Sequence, residues 1–153
     1  MIEVKNLSKQ FKAPTEEKGL FGFKKKPFWA VKELNFKIKK GTVASILGPN
    51  GCGKTTTLRM IAGMLTPSKG TAFVDSVDVR KDKQTVKSKI GYMTNNTALY
   101  DRLNVIETIK FFAELNQLSE EVYMPRAEKL FTQLDMNKYL LKRVADLSTG
   151  MKQ

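Results

Sequence analysis

The sequence predicts an α/β fold, on three observations. A β-rich apolar run at residues 42–47 leads into a glycine-rich loop and then a segment of helical period. Alternating apolar and polar residues recur through the first 95 positions. From Asn104 onward the apolar spacing is that of helices.

The elements follow in order. Residues 2–7 alternate and read as a half-buried strand. Residues 12–28, rich in Lys, Gly and Pro, read as an exposed loop with Lys24, Lys25 and Lys26 at its tip. Residues 29–38 give a second alternating strand, and Lys39, Lys40 and Gly41 turn the chain into the run 42–47. After the loop, Leu58, Ile61, Ala62 and Leu65 mark a helix that Pro67 and Gly70 stop. Residues 71–74 are a short strand, 75–79 a turn, 81–89 the start of a short helix, and 90–93 another strand. Val105, Ile109, Phe112 and Ala113 then mark a helix capped by Asn104. Residues 121–134 form a second helix with Ala127, Leu130, Phe131 and Leu134 on one side. Residues 139–147 are mixed, and Ser148 caps a helix start. The period change divides the chain into a β-rich core, 1–95, and a helical part, 96–153.

Composition excludes several classes. At 153 residues the chain is long enough for one domain with a sizeable core. No apolar run approaches membrane-spanning length, and the N-terminus lacks a signal-peptide layout. Cys52 is the single cysteine, which rules out an internal disulfide and suits a reducing compartment. The net charge is +12, and residues 1–40 hold eleven Lys against four Glu, a net +7. That bias fits an anionic membrane surface, nucleic acid, or a solvated lysine face. Nucleic acid is not the expected partner, because aromatic and basic residues do not alternate as on a single-strand platform.

The glycine-rich loop is Gly48-Pro49-Asn50-Gly51-Cys52-Gly53-Lys54-Thr55-Thr56. Its spacing is that of a phosphate-binding P-loop. Gly48, Gly51 and Gly53 let the backbone curl so that successive N–H groups point inward and form an anion nest. Lys54 adds a positive charge for the outer phosphates, Thr55 a hydroxyl for a magnesium ion, and Thr56 a hydroxyl at the innermost phosphate. The following helix points its positive end at the phosphates. A plain glycine-rich turn is the alternative; the Lys54-Thr55 pair and both flanks favour the phosphate loop. Alkylation of Cys52, within the nest, is expected to block nucleotide binding.

Two more stretches stand in line with the loop: Leu147-Ser148-Thr149-Gly150-Met151-Lys152-Gln153, and residues 90–101. Together with residues 43–57 they resemble the nucleotide-binding domain of ABC transporters, and the resemblance runs from Met1 to Gln153. It implies a P-loop NTPase core of ABC type with peripheral antiparallel strands and a helical subdomain. It implies an ATP-binding subunit, with ATP and Mg2+ as ligands, that energises transport from the cytoplasmic, inner face of the membrane. Implied partners are transmembrane permease subunits and a second ATPase subunit, bound head to tail. Phe11 lies where the family stacks an aromatic ring on adenine; core packing beside the first strand is its other role. Residues 48–56 hold the phosphates. Ser148 and Gly150 belong to the signature loop, which caps the ATP of the second subunit. By the same resemblance, residues 99–103 are expected near the membrane subunit.

There are departures from the family pattern. Asn95 stands where the family has Gln reaching the magnesium and the attacking water; Asn96 is the alternative ligand, and a loop amide bonded to its own backbone a third reading. The family continues past the signature to an apolar strand ending in Asp-Glu and then a switch His, and this sequence holds no His. The expectation is a domain truncated after the signature, which holds ATP but turns it over poorly. Its central strand should then lack parallel neighbours and leave an open edge with exposed apolar surface, so the chain alone should be marginally stable. A soluble ABC-type ATPase acting on ribosomes or nucleic acid, and an inactive remnant, are the alternatives. A GTPase reading is weakened because Leu140 replaces the Asp of Asn137-Lys138-x-Asp.

Overall fold

The computed structural model describes residues 1–19, 22–94 and 99–152. Asn95, Asn96 and Gln153 lie outside the described residues. The chain forms two compact units, Met1–Tyr92 and Met93–Gln153.

The first unit is built on a four-stranded antiparallel sheet in the order β2-β1-β3-β4. Its strands are β1 (Ile2–Gly19), β2 (Gly22–Ile38), β3 (Lys69–Val74) and β4 (Val77–Asp78). Residues 12–28, expected as a loop, are instead the arms of the β1–β2 hairpin, with Lys12 opposite Pro27 and Pro14 opposite Lys25. Pairing supplies what local propensity withholds. Both prolines are tolerated because β2 is an edge strand and β3 pairs with β1 only as far as Ser8.

Near its base the hairpin is bulged. Asn6 and Glu33 both adopt φ of 49°, and the register shifts on either side of Leu7. Side chains satisfy the displaced backbone: Asn6 N–H donates to Asn35 Oδ1 at 2.8 Å, and Glu33 N–H to Ser8 Oγ at 2.9 Å. The bulge lets Val4 and Leu7, three apart, both reach the core. Asp75 and Ser76, at φ 44° and 68°, make the two-residue turn between β3 and β4.

Two helices cover this sheet. Helix α1 (Lys54–Ile61) buries Thr57, Met60 and Ile61, an i, i+3, i+4 stripe. Helix α2 (Lys83–Ser88) buries Val86 and is capped by Asp82, whose carboxylate accepts from Thr85 N–H. The core gathers Val4, Leu7, Val31, Met60, Ile61, Ala72, Val74, Val79 and Val86. Leu58, expected on the buried side of α1, is 45% exposed because the stripe that packs starts one residue earlier.

Residues 42–47 and 90–93, expected as strands, join no ladder among the described residues. Val43 is 95% and Leu47 90% exposed. An extended apolar run becomes a strand only when neighbours accept its backbone hydrogen bonds, and the described strands all pair elsewhere. The exposed apolar surface expected around this run is present.

The second unit is helical. Helix α3 (Val105–Leu115) starts at Asn104 with a capping box: Glu107 N–H donates to Asn104 Oδ1, and Asn104 N–H to Glu107 Oε2, both at 2.8 Å. Helix α4 (Glu120–Gln133) follows, then 3₁₀ turns at Asn137–Tyr139 and Val144–Asp146. Ala127, Leu130, Phe131 and Leu134 line an open cavity of about 670 Å³. Leu130 and Leu134 remain 56% and 67% exposed.

Candidate functional site

The loop is held at both ends. Before α1, Gly51 and Gly53 take φ of 83° and 94°, in the left-handed region. Gly53 lies against β2: a Cβ there would run into the Ala30 carbonyl oxygen and come within 2.9 Å of Val31 Cγ2. At the other end, a Cβ on Gly48 would stand 2.7 Å from Cys52 Sγ. Glycines permit this curl, which carries residues 48–53 from the exposed run into α1.

The loop runs directly into the start of α1. Gly53 occupies the cap position, and no side chain caps the helix. The first intrahelical bond runs from Thr57 N–H to Gly53 O at 2.8 Å. The amides before it therefore lack helical partners and carry the positive end of the helix dipole. No acidic residue stands in the first turn to neutralise it.

Lys54 turns back over the loop. Its Nζ donates to Gly48 O at 2.7 Å and to Pro49 O at 2.8 Å. Thr55 is exposed, Thr56 half-buried, and Cys52 a free, exposed thiol. The loop and the first turn of α1 carry unpartnered helix amides, an ammonium group and hydroxyls, a chemistry complementary to a polyphosphate.

Phe11 is half-buried on β1, with its ring centroid 6.0 Å from that of Phe28, its register partner on β2. Lys9 Nζ stands 5.3 Å from the Phe11 ring and donates to Thr66 O at 2.8 Å. Sequence reasoning placed Phe28 in a loop; the hairpin puts it opposite Phe11. The signal for it was the Phe28-Trp29 pair leading directly into the apolar Ala30-Val31.

Ser148 and Gly150 belong to the second unit, and the phosphate-loop residues to the first. The strap before Ser148 is tied to the start of α3: Val105 N–H donates to Lys142 O, and Val144 N–H to Leu103 O. Ser148 Oγ accepts from Met151 N–H at 3.3 Å, at the start of the short helix α5 (Thr149–Lys152). Both residues are exposed, and a Cβ on Gly150 would meet open space.

The fold and its loop define a P-loop NTPase core of ABC type. A family model described as ABC transporter matches residues 31–153. The chain belongs to the ABC transporter family. It is 42% identical over 134 residues to the ABC transporter ATP-binding protein NatA of Bacillus subtilis (strain 168), covering 87% of this chain and 54% of that protein. Two solved structures are similar over 99% of the chain at 25% identity. One is the ATP-binding subunit of an ABC transporter, at a TM-score of 0.74 with 57% of that chain covered. The other is a dimeric bacterial ABC transporter cassette, at 0.76 with 65% covered. The chain thus spans about half the length of its Bacillus relative.

Proposed function

We propose that the chain is the ATP-binding portion of an ABC transporter's ATP-binding subunit, in which ATP binding and hydrolysis by the complete domain drive transport across the membrane. The observation that carries this reading is Lys54, drawn over an uncapped helix start and bonded to Gly48 O and Pro49 O. A triphosphate is an acceptor for both the uncapped amides and the Lys54 ammonium.

The residue roles follow from the chemistry. Backbone amides of residues 48–56 and the Lys54 ammonium hold the phosphates, and Thr56 adds a hydroxyl. Magnesium screens the phosphate charge when bound. Among the described residues no group of three acidic, Cys or His side chains could hold a metal. Thr55, one exposed hydroxyl, fits an ion that arrives on the nucleotide rather than one caged by protein. Asn95 is assigned to the metal and the attacking water. Phe11 is assigned to the adenine ring. Ser148 and Gly150 are assigned to the ATP of a second subunit; a structural relative described as a dimeric cassette supports that assembly.

Transmembrane permease subunits are the remaining partners, approached through residues 99–103. No described helix is long and apolar enough to cross a membrane. The proposed location, peripheral on the cytoplasmic face, follows from the proposed role beside permease subunits.

The test is equilibrium binding of ATP to the chain and to Lys54→Met. Removing a charge-assisted hydrogen-bond donor should weaken binding about tenfold or more. Equal affinities would refute the reading.

A further inference from the structure

We propose that Phe28 supplies a second stacking ring for the nucleotide base, beside Phe11. The proposal rests on the ATP-binding reading and extends it at the base end of the site.

Phe11 and Phe28 are directly opposed across the β1–β2 hairpin, so their side chains leave the same face of the sheet. Their rings, tilted by 33° with centroids 6.0 Å apart, form one continuous aromatic patch. A register shift at Ala30, with Lys9 opposite Val31 and Gln10 opposite Trp29, puts Phe28 on the same face of the sheet as Val31. Gly53 packs against Ala30 and Val31, and Phe28 precedes Val31 by three residues on the same strand. At strand rise that is about 10 Å, the scale of a nucleotide's sugar and first phosphates.

The two rings are not equivalent. Phe11 is half-buried, flanked by Phe28 and by the Lys9 ammonium. Phe28 is 48% exposed. A single exposed apolar side chain is ordinary on a protein surface. This one differs in place: it lies three residues from Val31, against which Gly53 of the loop packs, and it pairs with the ring assigned to adenine. A purine is wide enough to lie across both rings, covering the Phe28 surface that water now wets. Stacking of this kind reads the face of a base rather than its edge.

The experiment compares ATP with inorganic tripolyphosphate, which has no base, both with Mg2+, by equilibrium titration of the full 153-residue chain. Phe28→Ala should weaken ATP binding about tenfold, the loss expected for one stacking ring. Tripolyphosphate affinity should not change. Phe28→Leu keeps apolar bulk without a ring and should behave like Phe28→Ala; Phe28→Trp should restore ATP binding. Unchanged ATP affinity in Phe28→Ala, with tripolyphosphate still bound, would overturn this proposal alone. An equal loss for both ligands would assign Phe28 a structural role and overturn it too. Failure of the unaltered chain to bind either ligand would overturn the ATP-binding reading and the proposal with it.

Discussion

A Cβ added at Gly53 meets two separate penalties. The residue sits at φ 94°, where an L side chain costs about 1–2 kcal/mol. The new carbon also runs into the Ala30 carbonyl, a backbone atom that cannot swing aside, and overpacking of this kind costs about 1–3 kcal/mol. Gly53→Ala should therefore destabilise the first unit by about 3 kcal/mol. Gly51 separates the penalties. Its φ is 83° with nothing within 4 Å of a Cβ, so Gly51→Ala should cost only about 1 kcal/mol. Gly150, with open space and no positive φ, is the control. The assay is urea unfolding read by the fluorescence of Trp29, the single tryptophan, which adjoins Ala30. With a urea slope of about 1–3 kcal/mol per molar, Gly53→Ala should lower the midpoint by roughly 1–3 M. Gly150→Ala should leave it in place. A midpoint for Gly53→Ala no lower than that for Gly51→Ala would refute the packing of the loop on β2.

Other outcomes follow from caps. Asn104→Ala removes the Oδ1 that accepts from Glu107 N–H, leaving the backbone half of the capping box, and should destabilise the second unit by about 1 kcal/mol, measured by circular dichroism melting. Asn104→Asp should retain most of it. The Asp82 carboxylate accepts from the Thr85 hydroxyl and N–H, which holds its pKa below the ordinary 3.8. Because the folded state favours the charged form, the cap is fully present above pH 3.8 and is lost as pH falls through the lowered value. Hydrogen-exchange protection of the Thr85 amide should drop over that window, and Asp82→Asn should flatten the response.

Local signals were legible and pairing was not. Asn104, three residues before Glu107, announces a helix start, and α3 begins there. The loop from Gly48 to Thr56 likewise announces α1, and Lys54 is its first residue. Residues 12–28 misled because Pro14, Gly19, Gly22 and Pro27 have turn chemistry, whereas their ladder is decided by the opposing strand. The run at 42–47 misled in the opposite sense: Val43, Ile46 and Leu47 have strand propensity, but no described strand pairs with them. The Phe28-Trp29 pair marks an apolar run into Ala30-Val31, but only the register places Phe28 opposite Phe11.

The two carbonyls that receive Lys54 bear on how fast and how tightly the cradle fills. In the proposed nucleotide-binding role, an arriving phosphate would compete with Gly48 O and Pro49 O for an ammonium group already engaged. What it gains from the lysine is the difference between charged and neutral acceptors, not a full ion-pair energy. The same engagement keeps the tip of a flexible side chain near its working position, so little rotamer freedom remains to be lost at docking. Its engagement with the two carbonyls would thus lower both the gross gain of capture and the ordering that capture demands.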